Sequence, residues 1–600
     1  MPMAIEDYAL IGDCHTAALI GRNGSLDWLC LPRFDSPSAF GALLGNEEHG
    51  HWTLAPTDPE ATSVRKYRPD TFVLDTRWTT STGEVQVLEL MPLGDRRADV
   101  VRRVIGVRGT VDMHQVLRIR FSYASAVPWV QQVDVDGQTA LVATAGPDAV
   151  MVRGPRFRPA DHRHAAYFRV REGETVDTVL TWFPSHRTPP EPLDVDLQLE
   201  RTKRWWRDWA KTCDIPSEYR EEVSRSLLVL RALTHEDTGG IVAAATTSLP
   251  EEFGGSRNWD YRYVWLRDAA LTLQALMLHG YEREALSWRN WLLRAIAGDP
   301  ADVQIMYGIA GERMLIEREL DSLPGYRGSA PVRVGNAAFR QYQGDIFGEV
   351  MIALHEAREL GVVEDKFSWA LQRELLRFLE ENWQRPDNGI WEIRGPERSF
   401  THSRVMLWAA LSCGIRGVLD HGLSGPVDRW IALREELAAE IEAQGFDRER
   451  NTYTQYYGGT TVDASLLQLA QVGYVAYDDP RMLGTVAAIE QDLLRDGLLL
   501  RYRTETGVDG LPGDEHPFLA CSFWLVEQYA RTGRRAEATA LMDRLLGMAN
   551  DVGLLSEEYD VGEHRQVGNT PQAFSHLALV RAADAISGRR SPLDAGAPLG

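Results

Sequence analysis

The sequence predicts a chain of two architectures, an antiparallel β-sandwich followed by a ring of paired helices, an (α/α)6 barrel. Three observations predict it. Apolar residues alternate in short runs up to about residue 183, and from about residue 217 the apolar period changes to 3.6. The connections between the helices then alternate long and short. At 600 residues the chain also exceeds one ordinary domain.

The strands come first. Ala17 to Ile20 and Leu26 to Cys30 flank Arg22-Asn23-Gly24, a hairpin signal because Asn-Gly supplies positive φ. Thr82-Gly83 and Glu172-Gly173 punctuate later runs, and Val85 to Leu90 and Val116 to Phe121 alternate as half-buried strands do. Many short strands at hairpin spacing imply a sandwich rather than a parallel sheet. Pro184 to Pro192 holds four prolines and reads as a linker. Leu197 to Trp209 then has helical period and carries Trp205, Trp206 and Trp209, a face suited to docking one domain on the other. The expected division is a sandwich over 1–190, a linker helix over 191–214, the helical ring over 215–590 and a tail over 591–600.

Twelve helices are expected near 217–236, 263–280, 282–298, 339–360, 365–384, 402–420, 427–445, 463–474, 480–495, 517–532, 534–548 and 571–587. Short turns such as Gly280-Tyr281, Gly361-Val362 and Thr532-Gly533 follow the even ones. Long segments rich in Gly, Trp, Tyr, Arg and Glu follow the odd ones. In a closed ring every long connection opens on one face, so these loops gather around one pocket. An open solenoid is the competing arrangement, and no fixed-period repeat supports it.

Composition narrows the partners. The formal net charge of −22 argues against nucleic acid or an anionic membrane and fits a neutral substrate. No apolar run approaches the roughly 20 residues of a membrane span. Cys14, Cys30, Cys213, Cys413 and Cys521 are odd in number and scattered, which suits a reducing compartment. Glu6 and Asp7 stand where a signal peptide carries basic residues, so a cytoplasmic location is expected. The histidines show no HExxH spacing, no Cys/His cluster suggests zinc, and Gly-rich phosphate loops are absent. Neither metal nor cofactor is expected.

The first long loop holds the densest chemistry, Asn258 to Asp268, with Trp259, Tyr261, Tyr263, Trp265, two arginines and two aspartates. Aromatic faces beside planar donors and carboxylates suit a sugar ring, which has apolar faces and a hydroxyl rim. The same stretch also reads as the start of an amphipathic helix with core aromatics and a surface ion pair. The third loop contains Asp387-Asn388-Gly389-Ile390-Trp391-Glu392-Ile393-Arg394-Gly395, the fifth Leu500-Arg501-Tyr502-Arg503, and the sixth Leu554-Leu555-Ser556-Glu557-Glu558-Tyr559-Asp560. Two separated carboxylates beside aromatic rings and arginines are the groups needed to cleave a glycosidic bond. One must stay protonated, which an apolar neighbour such as Trp391 favours, and the other ionised. Inversion needs them roughly 6.5–9.5 Å apart, with a water between. Taken singly, each glutamate reads as a cap or an ion-pair residue; the constellation is stronger than its members.

Seven stretches carry a resemblance: Gly12 to Ile20, Gly24 to Arg33, Thr247 to Glu251, Arg257 to Asp268, Gly389 to Gly395, Cys521 to Leu525 and Gly568 to His576. Through them the chain resembles the family-15 glycoside hydrolases over nearly its whole length, in particular their bacterial trehalase-like branch. The resemblance implies Glu392 as general acid and Glu557 as general base. It implies Arg267 and Asp268 as the grip on the non-reducing glucose, Tyr261 and Trp265 as walls, and Arg501 at the same subsite or the next; Trp259 and Trp391 complete the expected substrate contacts. Ile393 replaces a second glutamate that fungal glucoamylases place after the acid, and Phe574 a tryptophan near the base; both fall around substrate-contacting positions, so the resemblance does not by itself imply the fungal starch-type specificity. The implied activity is inverting, exo-acting hydrolysis of a neutral α-glucoside, with trehalose ahead of malto- or isomalto-oligosaccharides. Glu557 argues against a phosphorylase, and the presence of both glutamates against a non-catalytic sugar-binding protein.

Overall fold

The first hairpin shows how local chemistry sets the sandwich. Ala17–Gly21 pairs antiparallel with Ser25–Cys30 across Asn23-Gly24, and Gly24 has φ +77°. A Cβ at Gly24 would lie 2.3 Å from the Leu54 carbonyl oxygen, so only glycine closes this turn. The computed structural model describes residues 2–590 apart from 94–96, 136 and 217. The expected tail, 591–600, lies outside the described residues.

The sandwich is built on one strand. Ala98–Arg118 runs for 21 residues and belongs to both sheets. Its first half pairs with Gly83–Leu90 and Thr175–Pro184, and its second half with His51–Pro56 and Arg163–Arg171. The first half of the run Val116 to Phe121, read from the sequence as a strand of its own, is the end of this one. Gly106 permits the crossing, because a Cβ there would meet the Arg171 carbonyl oxygen at 1.9 Å. Leu54, Val111 and Met113 of one sheet bury against Trp78, Val85 and Val104 of the other. Every strand pairing in the two sheets is antiparallel.

Helix α1 (Val195–Ala210) follows, capped by Asp194, and it bridges. Trp206 is fully buried against Phe72 of the sandwich, while Trp209 stacks on Tyr281 at 4.0 Å and donates its indole N–H to Glu284. Of the three tryptophans expected there, Trp206 packs on the sandwich and Trp209 on the helical part.

The ring comprises α2 (Arg220–Ala232), α3 (Leu266–Leu278), α4 (Glu282–Ala295), α5 (Asp345–Glu359), α6 (Lys366–Asn382), α7 (Thr401–Leu419), α8 (Val427–Gln444), α9 (Gln468–Gln471), α10 (Pro480–Leu493), α11 (Leu519–Arg531), α12 (Arg535–Leu546) and α13 (Ala573–Ile586). The odd helices α3, α5, α7, α11 and α13 are buried almost all round and form the inner wall. The outer α6 buries only a stripe, Ser368, Trp369, Gln372, Leu375, Leu376 and Leu379, at helical spacing. Neighbouring inner helices touch in sequence, and α13 packs on α3. That last contact closes the ring and excludes the solenoid.

Two expected helices are shorter than their apolar period suggests. The helix near 463–474 is a 3-10 turn, Ala464–Leu467, followed by only four α-helical residues. Asp463 caps that turn, accepting from the Ser465 N–H and hydroxyl, and Gly473 ends the segment with φ +75°. The helix near 339–360 begins only at Asp345, because Gln341 to Gly344 are extended or bent and lead the chain past the pocket loop.

Candidate active site

The long loops converge as the ring requires. They enclose a pocket of about 690 Å³, open mouth included, and all nine residues expected from the sequence line it: Trp259, Tyr261, Trp265, Arg267, Asp268, Trp391, Glu392, Arg501 and Glu557. No sandwich residue lines it; every lining residue lies at 243 or beyond.

Glu392 is aimed by a tight turn. Gly389 (φ +65°) leaves no room for a Cβ, which would touch the Phe400 ring at 2.9 Å. The chain is then tied back by Ile393 N–H to the Asn388 carbonyl and by Asn388 Nδ2 to the Ile393 carbonyl, at 3.0 and 2.8 Å. Glu392 itself has φ +57°, a left-handed conformation that costs a non-glycine residue about 1–2 kcal/mol. Gln341 holds it there by donating to its carbonyl oxygen at 3.1 Å. Its carboxylate accepts the Trp265 indole N–H at 2.5 Å. Burial pushes the carboxyl's pKa up, and the nearby Arg267 guanidinium pulls it part of the way back.

Glu557 sits across the pocket. Tyr261 donates its hydroxyl to Glu557 Oε1 at 2.6 Å, and a Cβ on Gly568 would lie 2.6 Å from the Glu557 Cβ, so glycine makes room for it. Burial first, and then the negative charge of Glu251, raises the Glu557 carboxyl to about 8. The two rings that hold the carboxylates, Tyr261 and Trp265, pack edge to face with centroids 5.5 Å apart. One aromatic pair thus carries a carboxylate at each end, and the two carboxylates form no hydrogen bond with each other.

The floor belongs to α3. Arg267 bonds Asp268 through Nε (3.0 Å) and Nη2 (2.9 Å), donates Nη1 to the Ile390 carbonyl at 2.6 Å, and lies over the Phe574 ring at 5.3 Å. The Ile390 bond ties this floor to the loop that carries Glu392. On the wall, Trp391 donates to Asp463 at 3.2 Å, and the guanidiniums of Arg333 and Arg394 lie on Trp259 at 4.6 and 4.0 Å.

Arg501, expected at the same subsite or the next, lines the pocket and is also paired with buried acids. Its Nε and Nη2 form a bidentate pair with buried Glu515, at 3.1 and 2.6 Å, and Nη2 also faces Glu251 (3.3 Å) and Glu558 (3.2 Å). The guanidinium lines the pocket while neutralising a buried acidic cluster. Glu251, Glu557 and Glu558 place their oxygens within 4.8 Å of one another. A cation there would meet the Arg501 guanidinium, and the cluster is accounted for without one. Sequence reasoning missed Glu251 and Glu515. Glu251 ends the motif from Thr247, and no rule of spacing connects Glu515 to Arg257, 258 positions away.

The stretch Asn258 to Asp268 is split in two by the structure. Asp260 and Arg262 turn away from the pocket as a fully buried bidentate pair, with bonds of 2.8 and 2.7 Å. Arg262 continues into the sandwich, donating to the Ser36 carbonyl and the Tyr123 hydroxyl, both at 2.9 Å. The sandwich therefore supports the pocket's first loop from behind. Arg262→Met leaves Asp260 as an uncompensated buried charge, so a loss of about 3–5 kcal/mol in stability is expected, read from urea unfolding.

A closed helical ring with aromatic walls and two separated, buried carboxylates at one pocket defines a glycoside hydrolase. The chain belongs to the glycosyl hydrolases family 15, whose model matches residues 217–584; a trehalase-like N-terminal model matches residues 1–167. A trehalase of Mycolicibacterium smegmatis is 36% identical, over 96% of this chain and 90% of its own length. A trehalase of Thermoplasma acidophilum is 35% identical, over 94% of this chain and 97% of its own. A bacterial glucoamylase solved with acarbose shares the fold, with a TM-score of 0.75 and 13% identity, over 99% of this chain and 95% of its own. Among the described residues no helix is long and apolar enough to cross a membrane.

Proposed function

We propose that this glycoside hydrolase cleaves trehalose by inversion, with Glu392 as general acid and Glu557 as general base. The observation that carries the proposal is the aromatic pair Tyr261 and Trp265, which holds one buried carboxylate at each end. Glu392, whose carboxyl burial biases towards the protonated form, gives its proton to the glycosidic oxygen as the bond to C1 breaks. Glu557 takes a proton from a water that attacks C1 from the opposite face. Burial and the negative charge of Glu251 make the Glu557 carboxylate a stronger proton acceptor than a free one. Arg267 and Asp268 offer donors and an acceptor, side by side, to the hydroxyls of the glucose being released. Trp259, Trp391 and Arg501 complete the substrate wall.

Trehalose is favoured over other α-glucosides by the two trehalases that match over nearly their full lengths. A cytoplasmic compartment belongs to the same reading and is supported by five unpaired cysteines, four of them buried.

Proton NMR of the first products from trehalose, maltose, isomaltose and soluble starch, followed side by side, tests the reading. Trehalose is expected to turn over fastest and to give β- and α-glucose in equal amounts, since only the attacked ring inverts. Two α-glucose molecules would refute inversion, and turnover confined to maltose or starch would refute trehalose.

A further inference from the structure

A second cluster of ligand-type side chains lies at the far end of the ring. His355 and Glu359 are one turn apart near the C-terminus of α5 and share a face. His421 comes from the turn that follows α7, 62 positions away from Glu359. The ligand atoms of the three lie within 4.8 Å of one another. His421 Nε2 is 2.7 Å from Glu359 Oε1, and His355 Nε2 is 3.8 Å from the same oxygen. The two imidazoles stand edge to face, with centroids 6.4 Å apart and planes at 79°.

His355 supplies the independent observation. It is fully buried, and neither ring nitrogen has a hydrogen-bond partner. Buried polar atoms are nearly always paired, and an orphan costs free energy that a ligand would offset.

We propose that His355, Glu359 and His421 bind one divalent transition-metal ion of the zinc type. Two imidazoles and a carboxylate are a donor set suited to Zn2+, and solvent can supply the fourth position. With metal–ligand bonds of about 2.0–2.1 Å, tetrahedral donors sit about 3.3 Å apart. The observed 2.7 and 3.8 Å bracket that spacing, so small side-chain shifts admit the ion. Two cations, Arg416 and Arg358, lie near His355. Those two cations are themselves paired, Arg416 with Asp420 at 3.1 Å and Arg358 with Glu364 at 2.6 Å. Glu359 and His421 are partly exposed, giving the ion a route in.

The pocket loops lead into the N-terminus of α5, about 20 Å along the helix from Glu359 at about 1.5 Å per residue. The ion would tie the ends of two neighbouring inner helices without touching the reacting groups. The expected effect is a higher unfolding temperature with Zn2+ and unchanged kcat.

The test is to strip the full chain with EDTA, add Zn2+, desalt and measure metal by mass spectrometry. About one Zn2+ per chain is expected. Co2+ in its place should give the visible bands of a tetrahedral site. His421→Ala and Glu359→Gln, at exposed positions and checked for native circular dichroism, should each lose the metal while keeping glucosidase turnover. Retention of Zn2+ by His421→Ala would overturn the assignment, as would a calorimetric Kd weaker than about 0.1 mM for the unaltered chain.

Discussion

Glu392→Gln is expected to lower kcat on trehalose by about 10³-fold, within the range a positioned general acid contributes, while KM changes little. The amide keeps the shape of the carboxyl and can still meet the Trp265 indole, but it has no proton to give the leaving oxygen. Arg267 remains bonded to Asp268 and to the Ile390 carbonyl, so the proposed sugar grip is expected to survive. Loss of a transition-state contact with ground-state binding intact is a kcat effect. A substrate that leaves without protonation separates this account from simple damage to the pocket. α-Glucosyl fluoride should be hydrolysed by Glu392→Gln within about tenfold of the unaltered rate. Equal losses on trehalose and the fluoride would show that Glu392 is not the acid. The alkaline limb of the pH profile offers a second check. That limb reports loss of the acid's proton, so it should disappear when residue 392 no longer titrates.

How far this site could be read without coordinates depends on whether its parts are local in the chain. The change of period and the alternation of loop lengths are local signals, repeated many times, and they carried the architecture through to the closing contact of α13 on α3. Asn258 to Asp268 was legible for the same reason, because its rings and charges crowd into one short run. What that run could not reveal was its division of labour. Arg262 and Arg267 look alike in sequence, yet one is bonded into the sandwich through Tyr123 and the other lies on the pocket floor.

Long-range pairing accounts for most of what stayed hidden. Arg501 is placed at the pocket by resemblance, but nothing local in the chain shows that Glu515 pairs with it and makes it a counter-ion for buried acids. Helical period failed at 463–474 because Asp463 takes the cap of a tighter turn and accepts the Trp391 indole, and the loops prevail over propensity there. The strain at Glu392 was equally invisible. Its φ of +57° is imposed by the turn at Gly389 and the bond from Gln341, and it marks a side chain whose aim is fixed by its surroundings.

Glu557→Ala is expected to cost about 10³-fold in kcat, the contribution of a positioned base, and its pH behaviour identifies the group more sharply than the loss itself. The base must be ionised to act, so kcat/KM should fall as pH drops through the Glu557 pKa, which burial and Glu251 raise to about 8. Glu251→Gln removes one of those causes. With the Glu251 charge removed, Glu557 ionises more readily, its pKa falls, and the acid limb should move down by about one pH unit. An acid limb that stays in place or moves up would mean that another group governs it. The product of the Glu557→Ala variant tests position as well as charge. Azide can enter the space left by the carboxylate and attack C1 of α-glucosyl fluoride from the face the water used. β-Glucosyl azide is then the expected product, seen by NMR as an axial C1 proton. α-Glucosyl azide would place the nucleophile on the leaving-group face and contradict inversion by this pair.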